Sequence, residues 1–517
     1  MIDSSNLPYE ILFKVNSLIH HGCIPGVAVD EKFLKLVNPS LFPEKFVLHT
    51  LEMIFNLKQC CYRPQRYIKE QYLKYMASGK FPDSPFAPLS DELVYVYRVR
   101  VTPTKIFFCG PEVNQSNRVL RQFPDDLNNF LRVSFADEDF DKLFSSVISP
   151  RFASHQRRSS SIYQRILRVL REGISIGDKR FEFLGCSDSQ LRESSLWMFA
   201  SRPGLSAADI RQWMGDFSNI KVVAKYAARL GQSFSSSKSP CHVERFEIEE
   251  IPDITMSDYT FSDGIGKISS DFAMSIGKKL GFNTNIPSAF QIRYGGYKGV
   301  VAVDPSSSKK LSLRKSMSKF ESNSTSLDIL NHSKYMPCFL NREVITLLST
   351  LGVKDHVFIR KQEEAVSHLD AAMTDPASAI EALELTARGP CTTMVTKMLE
   401  VGYKPGSEPL LTMILQTVRA SKLMDLRTKA KIFIPQGRCM MGCLDEYGIL
   451  NYGQVFIQYS SGKGKGETEK TTVVETRVVV TKNPCLHPGD IRVLQAVDVP
   501  ALHHMVDCVV FPQKGKR

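Results

Sequence analysis

The chain has 517 residues, 43% hydrophobic and 23% charged, which suits several globular domains with sizeable cores and excludes a disordered or fibrous chain. Its 66 Lys and Arg against 54 Asp and Glu give a net charge of +12, which favours a polyanionic partner. No apolar run approaches the ~20 residues that span a bilayer, and the opening MIDSSNLPYE lacks the basic and apolar regions of a secretory signal. No membrane partner is therefore expected, and the chain reads as nuclear and/or cytoplasmic, not secreted. Its 12 cysteines are scattered. Cys439 and Cys443 form the single close pair besides the adjacent Cys60 and Cys61, too few for a zinc framework, so free thiols in a reducing compartment are expected.

The chain begins with helices. Tyr9 to His21 carries Ile11, Leu12, Val15, Leu18 and Ile19 on one face and stops at Gly22. Pro43 to Leu57 and Arg66 to Met76 follow as second and third helices. Val94 to Cys109 alternates and reads as two strands broken at Thr102-Pro103. In the next segment Arg118 and Arg121 read either as phosphate contacts to a polyanionic partner or as solvated helix charges.

Asp137, Asp139 and Asp141 alternate in FADEDFDK, a spacing that a pair of Mg²⁺ ions would need on a tight loop. No glycine follows, and acids at a helix start are favoured by the macrodipole, so the metal reading is set aside. Residues 154–161 read as a flexible basic loop. Tyr163 to Glu172 is a helix whose Arg165, Arg168 and Arg171 face a polyanionic partner or solvent. Residues 180–200 read strand, turn, strand; residues 204–230 are helical; and the Ser-rich 231–240 is a linker at a domain boundary.

Asp263 to Ser322 is the most structured stretch. PSAFQIRYGG and GVVAVDP are β-branched runs punctuated by Gly-Gly and Asp-Pro, which predicts strand, tight turn, strand. The glycines flanking Lys298 let the backbone bend and let a polyanion approach, where a lysine acts as a point charge. Residues 326–427 read as a helical insertion. Residues 431–458 return to strands, 461–467 form a Lys-rich hairpin tip, and the last forty residues alternate again. His487, His503 and His504 lack the spacing and carboxylate of a metal site.

These pieces resemble the cellular RNA-dependent RNA polymerases of RNA silencing, the plant type. The resemblance is carried by SNRVLR (116–121), DGIGKIS (263–269), PSAFQIRYGGYKGVVAVDP (287–305), LRKSMSKFES (313–322) and the run from Val478 to Arg517, which ends in PQKGKR. It implies an α+β fold: a helical N-terminal support (1–90), a mixed α/β template-path region (91–232), a first double-psi β-barrel (241–325), a helical insertion (326–427), and the start of a second barrel (428–517). The family's Asp-x-Asp-Gly-Asp loop follows a PQKG-like segment, and residues 1–517 contain no such loop. The resemblance therefore implies a partial chain with a truncated second barrel.

The implied reaction copies single-stranded RNA into double-stranded RNA from nucleoside triphosphates, for gene silencing and antiviral defence. Mg²⁺ is the implied cofactor, with its ligands expected beyond residue 517. Dicer-type nucleases and Argonaute pathways are the implied partners. Arg293, Lys298 and Lys319 are implied to hold the triphosphate and the 3′ end. Arg118 and Arg121 of SNRVLR would contact the RNA near the template path, and Arg314 and Lys315 would position phosphates, with Lys482 and Asn483 approaching from the second barrel and Gln436 and Arg438 as weaker candidates. The alternative is a catalytically incomplete RNA-binding protein or regulatory decoy.

Overall fold

A computed structural model describes residues 7–79, 89–90, 92–148, 161–282, 285–386, 390–461 and 471–515. Two compact units emerge. Met1–Glu249, Gln291–Gly299 and Lys315–Asn331 form the first, and Glu250–Phe290, Val300–Arg314 and His332–Arg517 form the second.

The first unit opens with helices Tyr9–His20, Glu31–Leu36, Glu44–Asn56 and Pro64–Ser78. The first keeps Ile11, Leu12, Val15 and Leu18 fully buried, as its spacing predicts. The Asp30 carboxylate accepts the Phe33 N–H at 2.8 Å and caps the short second helix, which the sequence reading did not include. Gly79, in left-handed backbone, closes the fourth.

These helices pack on a six-stranded sheet made of β1 (Leu93–Val101), β2 (Ile106–Gln115), β3 (Phe130–Phe135), β4 (Ile174–Ile176), β5 (Lys179–Gly185) and β6 (Ser195–Ala200). The order is β2-β1-β3-β6-β5-β4, antiparallel except for β1 against β3. Strand alternation sorts the side chains onto its two faces. Leu131, Val133, Leu196 and Met198 join the N-terminal helices in one core. Phe130, Trp197 and Phe199 join helix Ala207–Met214, Leu230, Phe234 and Phe320 in another. Both faces of β6 are thus covered, and all six of its residues are buried.

In the second unit, strand Ile265–Ser269 runs parallel to Tyr297–Asp304 from Val300 onward and antiparallel to Leu311–Arg314. A mixed sheet of strands Met441–Leu444, Gln454–Ser460, Arg477–Val480, Arg492–Ala496 and Cys508–Phe511 shares a core with them through Ile265, Ala302, Cys443, Phe456 and Val510. Helices Arg342–Thr350, Asp355–Ala371, Pro376–Glu384, Pro390–Glu400 and Pro409–Lys429 lie between the two. Ala379, Leu383, Val395, Leu399, Leu411 and Leu415 give the later helices a core of their own.

The α+β class holds, and two boundaries move. The helical insertion starts at Arg342 rather than 326, because Ser326–His332 is a strand with Leu327, Asp328 and Ile329 buried. The Ser-rich run is not a linker. Gly231–Phe234 is a helical turn with Phe234 1% exposed, and strand Lys238–His242 pairs with Ser326–His332. Composition pointed to a linker, but one aromatic anchor suffices to pack it. Residues 154–160 and 462–467, expected as loop and hairpin tip, lie outside the described residues. No helix among the described residues is long and apolar enough to cross a membrane.

Candidate functional site

Three of the expected cations converge in the first unit because of the Gly295-Gly296 turn. Gly295 adopts left-handed backbone at φ +49°. At Gly296 a Cβ would lie 1.6 Å from the Phe320 carbonyl oxygen, so only glycine fits under the crossing segment. That segment is pinned by the Lys319 N–H donating to the Gly296 carbonyl at 3.0 Å and by a bridge between Tyr297 and Ser318. Lys298 and Lys319 are thereby carried on adjoining backbones, next to the strand that carries Arg293.

The cluster has little counter-charge: Asp188 acts on Lys298 and Arg293, and Asp328 on Arg293. Lys298 makes no hydrogen bond or ion pair among the described residues. The Arg293 guanidinium donates to its neighbour's carbonyl, Ile292 O, at 2.9 Å, while its Nε is buried without a partner. Lys319 Nζ donates to Ser316 O. A fourth cation, Arg229, comes from helix Val223–Leu230, and its Nε is also buried without a partner. Burial, then the charges of Arg293 and Arg229, push the Lys298 amine below its ordinary value, and Asp188 is the one acid that opposes this. Burial, then Arg118, brings Arg293 down from 12.5 to about 10. Four cations held this way form a preorganised seat for several negative charges, which is the geometry that phosphate groups need.

Arg118 and Arg121 hold this seat from behind through their hydrogen bonds. Arg118 is 7% exposed; its Nε donates to Asp328 Oδ2 at 2.6 Å. Its Nη atoms donate to the carbonyls of Gly295 (3.2 Å), Arg293 (3.1 Å) and Ser326 (3.1 Å). Arg121 donates to Asp328 Oδ1 at 3.0 Å and to Ser237. Both guanidinium groups are committed to protein acceptors, so what they do here is position the Arg293 strand and the glycine turn.

The remaining candidates divide in the same way. In the second unit Arg314 is 2% exposed and grips both Glu446 carboxylate oxygens, at 3.0 and 2.8 Å. It also donates to the carbonyls of Ile265 and Pro252. Lys267 completes that network with Asp304 at 2.9 Å and Glu446 at 3.6 Å. Lys315 belongs to the first unit and is exposed. Lys482 and Asn483 are exposed in the second, with Lys482 3.7 Å from Asp490. Arg438 stacks 4.7 Å from the Tyr335 ring, and Gln436 is exposed.

The alternating acids form a turn: Asp137 Oδ1 accepts the N–H groups of Asp139 and Asp141 at 3.1 and 2.7 Å. His487 accepts the Gly489 N–H, and His503 pairs with Asp498 at 2.6 Å. All 12 cysteines are free, and no group of three or more His, Cys, Asp or Glu among the described residues is placed to hold a metal ion. Arg229 and Asp188 were missed in the sequence. Each is one of two charges in a short helix, far along the chain from Lys298, with no motif around it.

The family described as "RNA dependent RNA polymerase" matches residues 101–517, and "RNA dependent RNA polymerase, helical domain" matches 2–82. The chain is 58% identical over 516 residues to "RNA-dependent RNA polymerase 1" of Arabidopsis thaliana, covering 99% of this chain and 46% of that protein. It is 60% identical over 414 residues to "Probable RNA-dependent RNA polymerase 1" of Oryza sativa subsp. japonica, covering 80% of this chain and 56% of that one. Among solved structures, the RNA dependent RNA polymerase QDE-1 from Thielavia terrestris matches with a TM-score of 0.67 at 17% identity, over 99% of this chain and 60% of that one. The chain thus spans about half the length of the curated relatives it matches.

Proposed function

The chain belongs to the RNA-dependent RNA polymerase family, and from that premise we propose that it supplies the cationic side of a polymerase centre that extends RNA on a single-stranded RNA template. The observation that carries the reading is the cluster of Arg293, Lys298, Lys319 and Arg229, which concentrates positive charge with little internal neutralisation. Extension is in-line attack of a 3′-hydroxyl on an α-phosphate, with negative charge building on the phosphoryl oxygens and the leaving pyrophosphate. Fixed cations stabilise that charge without having to reorganise. Lys298 and Lys319 act as point charges and Arg293 as a planar donor fork.

In this reading the strands around both ends of the helical insertion belong to double-psi β-barrels, and Mg²⁺ serves as the divalent metal of the reaction. The described residues offer no group that fits that metal, so the steps assigned to this chain are the binding and charge stabilisation made by its own cations. In this reading the double-stranded product would pass to Dicer-type nucleases and Argonaute pathways.

The test is equilibrium binding of a fluorescent nucleoside triphosphate to the 517-residue chain, alongside labelled-nucleotide incorporation on single-stranded RNA with Mg²⁺. Lys298→Ala is expected to weaken triphosphate binding about tenfold, the loss of one charge-assisted contact. Binding unchanged in Lys298→Ala would remove the cluster from the reaction. Binding without incorporation would limit this chain to the substrate-holding part.

A further inference from the structure

A cavity of about 450 Å³ lies in the first unit, among residues that the triphosphate site does not use. Its walls come from the end of the first helix (Lys14, His20, His21), from Glu52 and Phe55 on the third, and from β1 and β2 (Arg100, Phe107, Glu112). Phe140 completes it from the turn that Asp137 builds. The size falls within the range of small-ligand sites.

Phe140 is the informative residue. It adopts left-handed backbone at φ +65°, which costs a bulky residue energy, and its ring is still 43% exposed. The alternating acids explain how this is held. The Asp137 carboxylate takes two backbone N–H groups, and the Phe140 N–H donates to the Asp137 carbonyl at 3.2 Å. The turn therefore presents an apolar ring, with its centroid 4.8 Å from that of Phe107. The Arg100 guanidinium lies 5.2 Å from the same ring.

The charge balance around the cavity is also specific. Each nearby acid except the exposed Asp139 and Asp141 has a partner: Glu52 pairs with Lys14, Glu112 with Arg98, and Glu138 accepts from Thr104. The side chains of Arg100, in the wall, and of Lys105, beside Phe107, have no hydrogen-bond or ion-pair partner among the described residues, and both sit over aromatic rings. His20 lies 5.6 Å from Phe107, and burial holds its imidazole below the ordinary value, so the ring is neutral at pH 7 and offers both a donor and an acceptor.

We propose that this cavity is a second nucleotide site, in which a nucleobase stacks on the Phe140–Phe107 pair and its phosphate meets Arg100 and Lys105. Stacking is tolerant of base identity because every base has a π-face, so the site takes a nucleotide unit with little sequence preference. The same chemistry is offered by one residue of a single-stranded RNA and by a free nucleoside monophosphate.

The experiment is photocross-linking of the 517-residue chain with thiouridine monophosphate, and separately with a short single-stranded oligouridylate carrying one thiouridine, followed by peptide mapping. Adducts are expected on the segments of Phe107, Phe140 or His20. Cross-linking by the free nucleotide identifies it as an occupant, and cross-linking by the oligonucleotide alone assigns the site to an RNA strand. Phe140→Gly removes the ring and relieves the left-handed strain, so the fold is kept. It is expected to cut the cross-linking yield about tenfold at subsaturating probe, and Arg100→Gln to cut it as well. Adducts absent from these segments, a yield unchanged in Phe140→Gly, or competition by inorganic phosphate as strong as by uridine monophosphate would overturn the proposal. Because the readout is positional, Lys298→Ala leaves it unchanged, which separates it from the triphosphate site.

Discussion

Replacing Arg293 with Met is expected to stabilise the first unit while weakening the triphosphate site. Arg293 is brought from 12.5 to about 10 by burial and by the Arg118 charge. At ~1.4 kcal/mol per tenfold change in proton affinity, that gap is about 3 kcal/mol against the charged form. The side chain keeps some solvent contact, and screening reduces the figure to about 1–2 kcal/mol. Methionine keeps an unbranched apolar stem and removes the buried, unpartnered Nε. The expected result is an unfolding free energy about 1–2 kcal/mol higher. Urea unfolding followed by tryptophan fluorescence reads this locally, since the two tryptophans, Trp197 and Trp213, both belong to the first unit and its Phe320-containing core. The sign follows from linkage. The folded chain releases the Arg293 proton more readily than the unfolded chain, so the penalty is present at neutral pH and fades as pH rises through about 10. A urea midpoint that falls in Arg293→Met, with triphosphate affinity unchanged, would refute the reasoning on both counts.

Three sites and one titration test the same arrangement. Gly296→Ala places a Cβ 1.6 Å from the Phe320 carbonyl oxygen, so the unfolding free energy from urea denaturation should drop by more than about 2 kcal/mol, with loss of triphosphate binding. Asp328→Asn leaves two guanidinium groups without their shared charge and should cost about 3–5 kcal/mol, read as faster amide exchange across 291–299. Arg229→Gln should weaken triphosphate binding with little loss of stability; a binding constant equal to wild type would remove Arg229 from the site. Triphosphate affinity should fall as pH rises through the lowered Lys298 value, short of the ordinary 10.5, and Lys298→Arg should flatten that fall.

Local signals in the sequence carried local structure. The apolar spacing of Ile11, Leu12, Val15 and Leu18 placed the first helix to within a residue, and the glycine pair marked the turn that brings Lys298 to Lys319. What the sequence did not show was which cations are paired. Arg118 and Asp328 lie 210 residues apart, and Arg314 and Glu446 lie 132 apart. No pattern of spacing reaches across such intervals, so these arginines looked like Arg293 in the sequence and differ from it in the fold. Arg229 was hidden for the converse reason, since nothing in a short amphipathic helix says that its last cation lies beside Lys298. The Ser-rich run misled through composition, because Gly231, Ser233, Phe234 and Ser237 are buried although Phe234 is the one large apolar side chain among them.

The pairing pattern separates the two jobs that a buried cation can do. Arg118 and Arg314 each meet a carboxylate and several carbonyls, so their charge is neutralised inside the protein and their forks fix backbone segments that are distant in sequence. Arg293, Lys298 and Arg229 are withheld from such partners and held near one another, an arrangement that raises the energy of the folded chain. The chain tolerates this because the first kind supports the second: Arg118 donates to the carbonyls of Arg293 and Gly295, fixing the backbone from which the unpaired charges project. On the proposed reading, a polyanionic ligand would supply the missing counter-charge on binding. The repulsion stored in the free chain would then be released into the affinity for phosphate, and groups already fixed in place would need no reorganisation as negative charge develops on the ligand.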